Sequence, residues 1–285
     1  MATVLISGLG LIGSSIARVM RGNDSDIELI GRDPDDDTSQ FLLDHHIIDK
    51  RMNFAAAAQI ADLIVLAGPV SVIISQLKQL ANIKLKPDVL VTDVGSTKAA
   101  VERAAEPLLA KGVNFVGGHP MAGSDKSGSQ FGSQHLFDHA VYFLLTKSQT
   151  NRKLIWFQTL MAGTDIHWQA IDAKQHDQLV SELSHVPHVI AVTLVNTIAD
   201  SLAGNPAGLR AAAGGFKDTT RIAASDPTMW TAIMLSNADQ ISRELVQFQK
   251  HLAAFQQAIQ SHDEKTIRET LESARRIRKS LDEGK

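Results

Sequence analysis

The 285-residue chain contains no cysteine. Disulfides, thiolate metal sites and cysteine nucleophiles are therefore excluded, and the absence is compatible with a reducing cytoplasm. A strong charge bias is missing too. Against 31 acidic side chains stand 28 basic ones, a formal net charge of -3, so nothing points to a nucleic-acid surface. No stretch of about 18 apolar residues occurs, and no membrane span is expected. Internal repeats and low-complexity tracts are absent as well. The opening MATVLISGLGLIG is apolar but lacks a basic leader and is broken by glycines. It reads as strand and turn, not as a signal peptide.

The composition is that of a globular protein, with 44% hydrophobic and 21% charged residues. At roughly 100–200 residues per domain the length suggests two domains. The first half alternates short apolar runs with helical patterns. Strands are expected at Thr3–Ser7, Ile27–Gly31, Leu63–Ala67, Val89–Val94, Asn114–Gly118 and Val141–Leu145, with Asp165–Gln169 closing the domain. Val, Ile and Leu dominate these runs with little polar alternation, the pattern of strands buried on both faces of a parallel sheet. Crossover helices fit between them, for example Ser14–Arg21 and Lys98–Lys111. After about Ala170 only helical patterns remain: Lys174–Leu202, Asp226–Ser261 and Asp263–Asp282, with a Gly-rich stretch Gly204–Phe216 between the first two. Asp226 before Pro227 is a helix start, a capping side chain followed by proline at the first helical position.

Residues Thr3–Gly13 read TVLISGLGLIG, placing Gly8, Gly10 and Gly13 between a strand and a helix. In this G-x-G-x-x-G arrangement Gly8 permits the turn, Gly10 lets the backbone approach a pyrophosphate, and Gly13 lets helix and strand pack closely. The helix start, Leu11 and Ile12, then offers N–H groups to phosphate. Asp33 lies 20 residues beyond Gly13, where an acid accepts from the adenosine ribose hydroxyls. It would repel a 2′-phosphate, which favours NAD; Arg32 beside it could hold that phosphate, so NADP stays open. The fold expected is α/β: an N-terminal Rossmann-type doubly wound sheet, residues 1–170, followed by an all-helical substrate and dimerisation domain, residues 171–285. A self-contained helical bundle is the alternative for the second part.

Three further segments carry chemistry. DVGSTK (Asp93–Lys98) ends the fourth strand, and ligands of doubly wound sheets bind beyond the carboxyl ends of strands, so Ser96 and Lys98 are well placed. Equally, Ser96 or Thr97 can cap the next helix. GGHPMAGSDKSG (Gly117–Gly128) follows the fifth strand and makes His119 an acid/base candidate. GGFKDTTRIAASDPTMW (Gly214–Trp230) sets Arg221, a fork for a carboxylate, nine residues before Trp230, which walls a pocket or fills a core. His185 and His188 are three apart, but Pro187 intervenes and no third ligand accompanies them, so no metal is expected. His176-Asp177 either orients the pocket or is a solvated helix start.

Together with SHVPH (Ser184–His188), these segments resemble the prephenate/arogenate dehydrogenase family, from Gly8 to Trp230. The resemblance implies NAD-dependent oxidative decarboxylation of prephenate to 4-hydroxyphenylpyruvate in tyrosine biosynthesis, or of arogenate to tyrosine, by a cytoplasmic homodimer. It implies that His119 accepts from the ring hydroxyl at C4, that Ser96 binds the same hydroxyl and His119, and that Arg221 holds the ring carboxylate near His188 and Gly215. Asp125 would pair with Arg221 and gate the pocket, and Trp230 would line the side-chain site. Asp125 stands where the family more often has Glu, Ala213 where some relatives have glycine, and Thr219 where some have an aromatic residue. No added regulatory domain and no fused chorismate mutase is expected. Two other readings compete: a β-hydroxyacid or imine-type reductase, and a catalytically silent NAD-binding protein. The GGHPMAG and KDTTR segments speak against the first, and the joint presence of Ser96, His119 and Arg221 against the second.

Overall fold

The computed structural model describes residues 1–124, 126–145, 152–205 and 207–281. Its main sheet has six strands: β1 (Thr3–Ser7), β2 (Glu28–Arg32), β3 (Lys50–Arg51), β4 (Leu63–Leu66), β5 (Leu90–Asp93) and β6 (Asn114–Val116). They run in the order β3-β2-β1-β4-β5-β6, every pairing parallel. Residues of β1, β4 and β5 are buried throughout because helices cover both faces, and this explains their unalternating Val/Ile/Leu runs. Those helices include α1 (Leu11–Asn23), α2 (Asp36–Asp44), α3 (Phe54–Ile60), α4 (Val70–Leu80) and α5 (Ala99–Leu109). Two buried clusters lie on the two sides of the sheet, one around Val4, Ile6 and Leu29, the other around Leu5, Ile30 and Ile64. Alternate residues of one strand feed opposite clusters, as the pleat requires.

Three strands do not join this sheet. β7 (Gly118–Pro120), β8 (Val141–Leu145) and β9 (His167–Ile171) form a second sheet, β7 antiparallel to β8 and β8 parallel to β9. The expected single strand Asn114–Gly118 is thus split at Gly117, and the expected closing strand pairs away from the main sheet. Helix α6 (Arg152–Leu160) precedes β9, and Phe157 packs edge-on against Tyr142 and Trp168 of this second sheet.

The expected helix Lys174–Leu202 is interrupted. α7 (Ala173–Val180) passes through a π-helical turn, Ser181–His185, into α8 (Val186–Ser201). Pro187 supplies the reason: it cannot donate to the carbonyl four residues back and its ring crowds it, so the ladder loosens just upstream. Val186 N–H reaches Ser181 O, five residues back. A short helix, α9 (Gly214–Thr220), starts inside the Gly-rich stretch and continues as a 3-10 turn, Arg221–Ala224. The helix expected over Asp226–Ser261 breaks into α10 (Pro227–Ser236) and α11 (Ala238–Gln260), because the Asn237 side chain is drawn into tertiary hydrogen bonds. Asp226 caps α10 through Met229 N–H at 2.7 Å.

The chain forms two compact units, Met1–Asn237 and Ala238–Lys285. The second is a hairpin of α11 and α12 (Glu264–Ser280), with Leu252, Ile259, Leu271 and Ile277 exposed. Among the described residues no helix is long and apolar enough to cross a membrane.

Candidate active site

The glycine turn has the geometry that a dinucleotide needs. Gly8 adopts φ +97, and a Cβ there would lie 2.6 Å from the Ala67 carbonyl carbon. A Cβ on Gly13 would come within 1.9 Å of Gly8 O, so only glycine lets α1 seat against the turn. At Gly10 a Cβ would meet nothing within 4 Å, which leaves room for a phosphate at the helix start. Gly10 is also the N-cap and provides no side-chain cap, so the N–H groups of Leu11, Ile12 and Gly13 remain available to an anion. The Asp33 carboxylate reaches across from the end of β2 to accept Leu9 N–H at 2.7 Å and Asp35 N–H at 3.0 Å. Beside it opens a cavity of about 570 Å³ lined by Arg32, Asp33, Asp36, Arg51 and Asn53 among others. Arg51 is committed there to Asp36 and Gln40. These residues fit an adenine dinucleotide.

The second cluster lies at the carboxyl ends of β5 and β6, where ligands of doubly wound sheets bind. Lys98 does not face that cleft. It is fully buried and paired with Asp93, and its Nζ also donates to Gly118 O at 2.6 Å. Burial pushes the Lys98 ammonium down from its ordinary range, and Asp93 opposes the shift. Asp93 in turn accepts from Gly95 N–H at 2.8 Å and Gly118 N–H at 3.3 Å. The pair therefore clamps both backbone groups of the residue before His119. Gly118 is needed for this approach, since a Cβ would stand 2.7 Å from Asp93 O.

His119 is half-buried, and its Nδ1 lies 2.9 Å from His176 Nε2. His176 is fully buried, so the solvated-helix reading of His176-Asp177 fails. Its Nδ1 lies 2.8 Å from Asp177 Oδ1. The Asp177 carboxylate accepts Lys98 N–H at 2.7 Å and Ala99 N–H at 2.9 Å, tying α7 to the start of α5. Asp177 O accepts from Asn237, whose amide also lies 3.2 Å from His185 Nδ1. His185 meets Trp230 edge-on, and Trp230 stacks on His188 with ring centroids 3.5 Å apart. Buried Nδ1 of His188 and Nε1 of Trp230 have no hydrogen-bond partner among the described residues.

The structure thus joins His119 to Trp230 and His188 through four residues, His176, Asp177, Asn237 and His185, whose linkage no spacing in the sequence signals. Ser96 is half-buried and makes no hydrogen bond to His119 among the described residues. Arg221 is exposed, and its 3-10 turn packs on α8, the helix that carries His188. Gly215 is exposed in the first turn of α9. Asp125 lies outside the described residues. Burial lowers every imidazole in the group: His119 well below the usual histidine range with help from His176, Lys98 and His185; His185 to about 4; His176 and His188 also downward.

Residues 16–168 match the family model described as the nucleotide-binding domain of prephenate dehydrogenase, and residues 172–273 the one described as its dimerization domain. The prephenate dehydrogenase of Lactococcus lactis subsp. cremoris is 38% identical over 99% of this chain and 78% of that protein. A prephenate dehydrogenase from A. aeolicus, solved with hydroxyphenyl propionate and NAD+, superposes with TM-score 0.89 at 30% identity, over 99% of this chain and 98% of that one. Synechocystis arogenate dehydrogenase does so with TM-score 0.79 at 26% identity, over 98% and 99%. With both domain models matched in order and a relative of this identity along nearly its whole length, the chain belongs to the prephenate dehydrogenase family.

Proposed function

We propose that the protein is an NAD-dependent prephenate dehydrogenase, converting prephenate to 4-hydroxyphenylpyruvate, carbon dioxide and NADH in tyrosine biosynthesis. The observation that carries the reading is His119, held through Nδ1 alone among the described residues, at the carboxyl edge of a nucleotide-binding sheet. Bound NAD supplies the hydride acceptor. His119 accepts the hydrogen of the C4 hydroxyl, so that the carbon-oxygen bond gains carbonyl character as hydride departs. Loss of the ring carboxylate as carbon dioxide then returns electrons to the ring, which becomes aromatic. Arg221 and Gly215 belong to the carboxylate side of the site, His188 and Trp230 to the apolar wall, and Ser96 to the hydroxyl side. Asp125 is the residue proposed to gate the pocket through Arg221.

The substrate and dimerisation part, from about residue 171, is proposed to assemble as a homodimer. The dimerization-domain match and the exposed aliphatic side chains of the α11–α12 hairpin support this. A cytoplasmic setting is proposed because the enzyme draws on a freely diffusing dinucleotide. Arogenate is the second substrate to test, since a solved neighbour over nearly the whole chain is an arogenate dehydrogenase.

The deciding assay follows NADH absorbance with purified protein, NAD and prephenate, then with arogenate and with NADP. Turnover of neither substrate rejects the reading. Arg221→Gln is expected to act mainly on the Michaelis constant, because a charge-assisted carboxylate bond contributes roughly 1.5–3 kcal/mol, or about 10–150-fold. An unchanged constant removes Arg221 from that role.

The acid limb of the pH-rate profile is a further prediction. A free imidazole would lose its lone pair near pH 6.5. Burial holds His119 neutral well below that, and His176, Lys98 and His185 add to the effect. The nearby carboxylates are engaged elsewhere, Asp177 with His176 and Asp93 with the Gly118 N–H. Activity is therefore expected to stay flat from neutral pH through 6.5 and to fall only at more acid pH. A drop centred near 6.5, with chemistry rate-limiting, contradicts this.

A further inference from the structure

Imidazole has two nitrogens, and a neutral ring can accept a proton only at the one that carries no hydrogen. Which nitrogen of His119 that is depends on its neighbours, read from the far end. Asp177 Oδ1 and Oδ2 face the backbone N–H groups of Lys98 and Ala99. Backbone N–H groups only donate, so both oxygens act as acceptors. Oδ1 also faces His176 Nδ1 at 2.8 Å, so the His176 hydrogen sits on Nδ1 and its Nε2 presents a lone pair. That lone pair faces His119 Nδ1 at 2.9 Å, which places the His119 hydrogen on Nδ1.

We propose that His176, anchored by Asp177, is a positioning residue that sets the tautomer of His119 and makes Nε2 the nitrogen that accepts the substrate hydroxyl hydrogen. The proposal rests on His119 being the base. In water neutral imidazole side chains favour the hydrogen on Nε2, the opposite form. Without His176 the ring would therefore present its lone pair at Nδ1, the nitrogen turned toward α7, and offer a donor to a hydroxyl that needs an acceptor. The rest of the surroundings leaves the assignment intact: Phe143 of β8 meets the His176 ring edge-on, and Lys98 is occupied by Asp93 and Gly118. The hydrogen taken up by Nε2 returns to the same oxygen when decarboxylation makes the phenol, so His119 ends the cycle neutral and the relay keeps its order.

The test uses the full-length protein labelled with 15N-histidine. Two-bond nitrogen-proton correlation spectra of the ligand-free protein report the tautomer, and His119→Asn assigns the resonances. His119 and His176 are both expected neutral with the hydrogen on Nδ1. His176→Gln places an amide oxygen where Nε2 was and is expected to keep the His119 tautomer and most of the turnover. His176→Leu offers no acceptor. Its His119 is expected to shift to the Nε2–H form, and kcat to fall toward the roughly 10²–10⁴-fold range that a general base contributes, with the Michaelis constant little changed. His119 of the parent protein found with its hydrogen on Nε2 overturns the proposal, as do equal kcat values for the Gln and Leu variants. The spectrum needs no substrate: absence of turnover would fail the functional reading alone, and a wrong tautomer in a working enzyme would fail this proposal alone.

Discussion

Replacing His119 with Asn is expected to lower kcat roughly 10²–10⁴-fold while NAD affinity and thermal stability stay near those of the parent, the range usual for a positioned general base. Asparagine suits the purpose because its side-chain amide falls near the position of imidazole Nδ1. It can still donate to His176 Nε2, the partner that stands 2.9 Å from the imidazole in the parent. The buried relay behind it, His176 to Asp177, therefore keeps its hydrogen bonds, and no buried polar atom is newly orphaned. What disappears is the second nitrogen, the one able to take up a hydrogen. The glycine turn and Asp33 belong to other segments, so titration of NAD followed by protein fluorescence is expected to be unaltered. Turnover near the parent value would show that His119 is not the base.

The largest effect on stability is expected at Lys98. Lys98→Met keeps the volume and removes the charge, leaving Asp93 inaccessible to water without its partner. Breaking a buried pair from one side costs about 3–5 kcal/mol, because the surviving charge has neither solvent nor counter-ion. The substitution also orphans Gly118 O, which Lys98 Nζ holds at 2.6 Å. Urea unfolding measures the loss. Adding Asp93→Asn to Lys98→Met is expected to recover part of it, since a neutral amide is cheaper to bury than an unpaired carboxylate. A cost below about 1 kcal/mol for Lys98→Met would mean that the pair is solvated in a way its burial denies. Turnover is expected to drop as well, because the Asp93–Lys98 clamp fixes the backbone on which His119 rides.

How far these features are legible in the chain differs element by element. β1 and β8 occupy the residues expected of them, Thr3–Ser7 and Val141–Leu145, because short apolar β-branched runs are a local signal. Their partners are not local. Nothing in Val141–Leu145 announces that it pairs with Gly118–Pro120 and His167–Ile171 in a separate sheet. The position of His119 was readable from its glycine-rich loop after a strand, but its closest partner was not. Ser96, 23 residues away, was the expected neighbour; His176, 57 residues away, makes the contact. Lys98 looked like a ligand-binding cation because it follows a strand's carboxyl end. Only the fold shows its ammonium turned inward onto Asp93.

The sequence alone therefore determined whatever rests on short-range geometry. The glycine turn at Gly8–Gly13 is of this kind, where one φ of +97 and one helix-strand contact admit no side chain. So are the acid at the end of β2, the capped start of α10 at Asp226, and the parallel α/β character of the first half. Tertiary structure decided the proton order of the imidazoles, the inward turn of Lys98, and the stacking of His188 on Trp230. The reason is physical: a backbone conformation is selected by neighbours a few residues away, whereas buried polar groups must find partners wherever packing brings them; the contacts that order the imidazoles reach 57 residues from His119 to His176 and 79 from Asp177 back to the Lys98 backbone.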